Sequence, residues 1–251
     1  KKAIYLKELN TVQVEALLLR EAPLFIPMGT LEPHGRHLPV GTDTLCAEKV
    51  AEHLSLAFDG VVAPSFEYGL TNVFLQTSPS SFFPVDLYRT FVEEIVKHFY
   101  KHGFKKIIII NGHGGNQEAL QYILRNITRE APMALTIINW WIYASKFVEE
   151  VYNTKPGGHA AVEETAAILF SRPDLVTKEN YDSDTDDCVP TDAFWMFPPT
   201  GEVLLEEEGQ GQPCFDKEKA DIYMGKVLKG IEDRMKKWFA SFSRLRGGLR
   251  P

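Results

Sequence analysis

The chain has 251 residues, 44% of them apolar and 24% charged, with a net charge of −7. That is long enough for one large domain with its own core. The acidic balance argues against a general nucleic-acid binder, which needs a basic face, and no apolar run approaches the roughly 20 residues that cross a bilayer. Cys46, Cys188 and Cys214 are far apart and odd in number, so neither a zinc ribbon nor a disulfide framework is suggested. A reducing, cytoplasmic setting is expected. No export signal is expected from Lys1-Lys-Ala-Ile-Tyr5, which also lacks an initiator Met, so earlier residues are expected to have been removed.

In chain order, Val12, Val14, Leu17 and Leu18 predict a short amphipathic helix over Thr11–Leu19. Leu24–Met28 reads as a buried strand, and Val61–Ala63 as a second short one. Leu45, Val50 and Leu54 predict a helix over Thr44–Leu56, placing Asp43 at its N-terminus, where unpaired N–H groups favour a carboxylate. A helix is expected over Tyr88–Tyr100. Ile107–Ile110, β-branched and wholly apolar, reads as a parallel strand covered on both faces. Gln117–Thr128 (helix), Ala134–Ile138 (strand) and Val162–Phe170 (helix, ended by Arg172-Pro173) follow.

Residues 182–216 show little periodicity and are expected to form a long ordered loop or subunit-contact segment. The acidic run Asp182–Asp187 lacks the central Gly and final Glu of an EF-hand, so a solvated loop is expected rather than a calcium site. Lys217–Phe242 is a long amphipathic helix, residues 1–243 form one domain, and 244–251 are expected to be a mobile tail. Strands alternating with helices imply a mostly parallel sheet covered on both sides, a three-layer α/β/α fold. Sites in such folds lie beyond the carboxyl ends of the strands.

Three segments carry the chemistry. Glu32-Pro-His34-Gly-Arg-His37-Leu-Pro-Val-Gly-Thr-Asp43 follows the first strand. Residues two apart on an extended segment project to one side, so Glu32 and His34 can reach one point that Asp43 approaches after a turn. Carboxylate with imidazole suits zinc, manganese or iron(II), and a two-oxygen carboxylate can bridge two metals. His113, in Asn111-Gly-His-Gly-Gly-Asn116, stands just past the isoleucine strand; Asn111 and Asn116 are expected to brace that loop. His159 precedes a helix in which Glu163 and Glu164 point about 100° apart, so at most one faces the site. The Trp140-Trp141 pair either walls a pocket or packs in the core, and Trp195 lines a pocket or a subunit contact. These segments together point to a metal-dependent hydrolase. The rivals are a non-catalytic metal-binding or assembly protein, and a nucleotide-binding module, which would need a phosphate-loop motif this chain lacks.

The three blocks, in this order and spacing, resemble the creatininase (creatinine amidohydrolase) family across roughly residues 20–170. The resemblance implies a three-layer α/β fold, two divalent metal ions and commonly a homohexamer. It implies that Glu32, Asp43 and His113 hold one metal and that His34, Asp43 and a further carboxylate hold the other. In creatininase proper that carboxylate lies two residues after the histidine, where this chain has Gly115. Relatives with Asn-Gly-His-Gly-Gly-Asn use a glutamate of the His-Ala segment, here Glu164. The loop after Tyr68-Gly69 also departs from the family pattern, so creatinine is not the expected substrate.

The implied activity is hydrolysis of a small cyclic amide, formamide or related carbonyl, a non-peptide C–N bond, through a hydroxide activated by two metals. The alternative is cleavage of a cyclic ketone such as an oxidised inositol. His159 is expected to protonate the leaving group, held by Glu163 or a backbone carbonyl, and His37 to orient substrate or support the ligands. A small-molecule substrate and a homo-oligomer are expected, with neither nucleic acid nor membrane as partner.

Overall fold

The computed structural model describes residues 2–71, 74, 79–130, 133–189 and 201–246. Asn10 caps the first helix, α1 (Thr11–Leu19), by a reciprocal pair of hydrogen bonds with Gln13. The apolar run Leu24–Met28 forms β1, buried at every position. Then follow α2 (Thr42–Ala57), β2 (Val61–Val62), α3 (Val85–Lys101), β3 (Lys106–Asn111), α4 (Gln117–Glu130) and β4 (Ala134–Asn139). The four strands form one parallel sheet in the order β2-β1-β3-β4, with Ile109 of β3 opposite both Ile26 and Ile137.

Alternation along β3 divides the core. Ile108 and Ile110 face one side with Phe25 and Val62, while Ile107 and Ile109 face the other with Leu24, Ile26 and Val61. The second side is covered by α1, α3 and α4. The first is covered by α2 and by later helices: α5 (Trp140–Ala144), α6 (Val148–Tyr152), α7 (Val162–Ser171) and α8 (Lys217–Arg246). The result is the expected α/β/α sandwich. The short helices α5 and α6 were not expected. Trp140 is fully buried in that core and Trp141 packs against it, so the pair is core rather than pocket wall.

A second, small sheet lies apart from the first. Its strands are β5 (Gly158–His159), β6 (Asp186–Cys188) and β7 (Val203–Leu205), in the order β5-β7-β6. Segment 182–216 is therefore not only loop: of the two strands within it, β7 pairs with the strand that carries His159, and β6 pairs with β7. Asp182 and Asp184 of the acidic run are exposed, whereas Asp186 accepts hydrogen bonds from the Tyr181 hydroxyl (2.7 Å) and Gln212 Nε2 (2.9 Å). Trp195 lies outside the described residues, as does the end of the expected tail, 247–251. Among the described residues no helix is long and apolar enough to cross a membrane.

Candidate metal centre

The site forms where β1 and β3 end side by side. Glu32 and His34 lie on the loop after β1, Asp43 in the first turn of α2, and His113 two residues past β3. Glu163 and Glu164 sit in the first turn of α7, just after His159 on β5. The helix α2 starts two residues earlier than its periodicity suggests, which puts Asp43 inside the first turn. Close approach at Gly112 makes this possible, because a Cβ there would lie 2.1 Å from the Asp43 carbonyl oxygen. Asn111 and Asn116 brace the loop as expected. The Asn111 carboxamide spans the His113 backbone (2.9 and 3.2 Å), and Asn116 joins the Gly29 carbonyl to the Leu70 amide.

Each of three imidazoles has one nitrogen tied to a backbone carbonyl and the other turned toward carboxylates. His34 Nδ1 donates to the Glu32 carbonyl (3.1 Å), leaving Nε2 3.0 Å from Asp43 Oδ1 and 3.6 Å from Glu164 Oε2. His113 Nε2 donates to the Leu70 carbonyl (3.2 Å), leaving Nδ1 3.0 Å from Asp43 Oδ2 and 3.3 Å from Glu32 Oε1. His159 Nε2 donates to the Pro33 carbonyl (2.7 Å), with Nδ1 3.6 Å from Glu32 Oε1. A ring whose outer N–H is fixed in this way offers its inner lone pair in one orientation, the usual support of a metal-ligating histidine.

Asp43 divides its carboxylate, one oxygen to His34 and the other to His113. Ligand atoms of Glu32, Asp43 and His113 lie within 4.8 Å of one another, and so do those of His34, Asp43 and Glu164. A third such set joins Glu32, His34 and His159.

The electrostatics call for cations. Glu32, Asp43 and Glu164 are all buried, and Asp43 Oδ2 is faced by His113 Nδ1 at 3.0 Å. Burial disfavours charged imidazoles. Even so, Asp43 and Glu164 around His34, and Glu32 and Asp43 around His113, raise both histidines well above the usual value. Burial likewise opposes the charged forms of Glu32 and Asp43, but the facing imidazoliums hold both below the ordinary carboxylate range. Metal-free, the site recruits protons as its cations. With neutral imidazoles its nitrogen and oxygen donors suit borderline divalent metals, so the residues fit such ions.

Of the two candidate glutamates, Glu164 faces the cluster and takes the Ala160 N–H (2.6 Å). That bond supports Ala160 in the left-handed region, at φ 55°. Glu163 turns away, and both of its oxygens accept from the Gly157 amide at 3.2 Å. Burial pushes its carboxyl up to about 7. His159 is thus held by a backbone carbonyl, not by Glu163. Burial, then His34, lowers its pKa.

His37 belongs to none of the ligand sets. Its Nε2 meets Thr165 Oγ1 (3.1 Å), its ring abuts Tyr181 and Phe215, and burial lowers it to about 4. At Gly115 a Cβ would lie 2.2 Å from the Leu70 carbonyl oxygen and 2.5 Å from His113 Nε2. A side chain there would intrude on the hydrogen bond that orients His113. The Pro33 and Leu70 carbonyls, and Phe74 against the His159 ring, were missed from sequence. A backbone carbonyl leaves no side-chain signature, and Phe74 sits in the loop noted only as departing from the family pattern.

The family model described as creatinine amidohydrolase matches residues 7–218. The chain belongs to the creatininase family. It is a hydrolase of that family, similar to a creatinine amidohydrolase of Pseudomonas putida (23% identity, covering 95% of this chain and 98% of that protein). It is also similar to a mycofactocin precursor peptide peptidase of Mycolicibacterium smegmatis (27%, covering 86% and 85%). Over a shorter stretch, 34% of this chain and 38% of the other, it is 36% identical to a formylamino-pyrimidine monophosphate deformylase of Methanococcus maripaludis. Among solved structures, a manganese creatininase superposes with a TM-score of 0.79 at 20% identity, covering 95% of this chain and 99% of that one. A mutant creatininase of Zn-Zn type gives 0.77 at the same identity and coverage.

Proposed function

We propose that this creatininase-family protein hydrolyses a C–N bond in a small non-peptide cyclic amide or formamide, using two divalent metal ions. The observation that carries this is the split carboxylate of Asp43, 3.0 Å from a ring nitrogen on each side. Glu32, Asp43 and His113 would hold one ion, and His34, Asp43 and Glu164 the other. When bound, such a pair supplies a water acidified toward neutrality and an electrophile for the substrate carbonyl.

The chain's own residues do the rest. With Nε2–H committed to the Pro33 carbonyl, neutral His159 presents a lone pair at Nδ1. It can take a proton there and return it to the leaving nitrogen. Glu163 anchors Gly157, the start of the turn that carries His159. His37, joined to Thr165 of α7, fixes the loop after β1 against that helix from behind the ligands. The buried walls exclude bulk water and strengthen every charge interaction inside. Zinc, manganese or iron(II) would serve, in a cytoplasmic homo-oligomer that is a hexamer by family resemblance.

The test is removal and return of metal. Chelator-treated protein should lose turnover on a panel of lactams and formamides and regain it with one of these ions. Full turnover after complete metal removal would overturn the proposal.

A further inference from the structure

His159 is held on more sides than its hydrogen bond requires. One ring face lies against His34, with centroids 4.4 Å apart, and the ring of Phe74 lies 4.6 Å away at a 31° tilt. Phe74 belongs to the segment between β2 and α3, yet it is only 5% exposed. It is buried with Val189, just past β6, and Leu204 of β7 in a small apolar cluster separate from both main cores. Leu204 is also the cross-strand partner of His159.

Phe74 and the residues at 80–81 are held by hydrogen bonds. The Phe74 carbonyl accepts from the Ser80 hydroxyl (2.7 Å), and the Ser81 amide donates to the Leu31 carbonyl (2.8 Å), immediately before Glu32. One aromatic side chain therefore joins the small sheet to the ligand loop across the imidazole. The His159 side chain keeps 15% exposure, against 10% for Glu164, 9% for His113 and 4% or less for Glu32, His34 and Asp43. His159 is thus the most exposed member of the cluster, and Phe74 lies against its ring.

We propose that Phe74 closes the metal centre and positions His159. Seated between the imidazole and the Val189–Leu204 cluster, it fixes the plane of the ring and shields the cations on the side where the cluster is most exposed. This rests on the metal-dependent reading above. Phe74 needs no contact with a metal to act so, and its effect can be read without a substrate.

The experiment follows zinc release from reconstituted protein to an excess of the chromophoric chelator pyridylazoresorcinol. Phe74→Ala should release zinc on the order of tenfold faster than wild type, the scale of losing a buried aromatic and its ring partner. Phe74→Leu, which keeps most of the apolar volume, should be intermediate, and it decides the question if the alanine variant fails to fold. Val92→Ala, in the core on the far side of the sheet, should lower the melting temperature without speeding release.

Wild-type rates in folded Phe74 variants would overturn the role of Phe74, and so would equal acceleration in Val92→Ala. Wild-type protein that takes up none of zinc, manganese or iron(II) would instead sink the metal reading, and this proposal with it.

Discussion

The tightest constraint on the site is the contact between the end of β3 and the first turn of α2, and it can be tested with one methyl group. A Cβ on Gly112 would stand 2.1 Å from the Asp43 carbonyl oxygen and 2.7 Å from its carbonyl carbon. Restoring a tolerable approach requires the two elements to separate by about 1 Å. Asp43 Oδ2 now lies 3.0 Å from His113 Nδ1, and the same shift would spoil a geometry that metal sites hold to about 0.2 Å. Gly112→Ala should therefore cost about 1–3 kcal/mol by overpacking, a melting temperature roughly 2–10 °C lower. Metal affinity should fall at least about tenfold.

Gly114 is the control: it lies two residues away, at an ordinary φ, and its Cβ would meet nothing within 4 Å. Gly114→Ala should be neutral or stabilise by about 0.4–1 kcal/mol. Thermal unfolding and metal titration of the two variants make the assay. The reasoning fails if Gly112→Ala binds metal and melts like wild type, or if Gly114→Ala loses as much.

Asp43→Asn should abolish binding of both ions together, because one amide oxygen cannot serve two cations; metal analysis that finds full occupancy would contradict the bridging role. Glu164→Gln should lower metal stoichiometry in elemental analysis, whereas Glu163→Gln should keep the metal and lower only turnover by loosening the turn at Gly157; the reverse pattern would exchange their roles. In metal-free protein the raised His34 and His113 contribute stability that is complete below pH 6.5 and is lost as pH rises through their folded values. The depressed Glu32 and Asp43 contribute stability that is present above their ordinary values of 4.5 and 3.8 and lost as pH falls through the folded ones. Metal-free protein should thus be most stable between about pH 4.5 and 6.5. Metal binding at pH 7 should release about two protons, measurable by calorimetry in buffers of different ionisation enthalpy; no release would show that the two imidazoles are neutral beforehand.

Much of the site was legible because the residues that cluster there lie in short local patterns. Glu32-x-His34 on an extended loop and His113 after four isoleucines announce their chemistry through spacing alone, and the strand and helix periods follow from local geometry. The helices α5 and α6 were not legible, since Trp140–Tyr152 carries no clear helical stripe; burial of Trp140 against α7 and α8 holds that segment in place.

The sequence by itself therefore determined the α/β alternation, the parallel strands and the residue types that cluster at the site. Only the tertiary structure decided that Glu164 rather than Glu163 faces His34, that a Pro33 carbonyl holds His159, and that His37 meets Thr165 of α7. The reason is physical. A local period says which side of its own element a residue occupies, but two glutamates side by side on one helical turn differ only in what lies opposite each, and that depends on how β1, β3 and the small sheet are brought together.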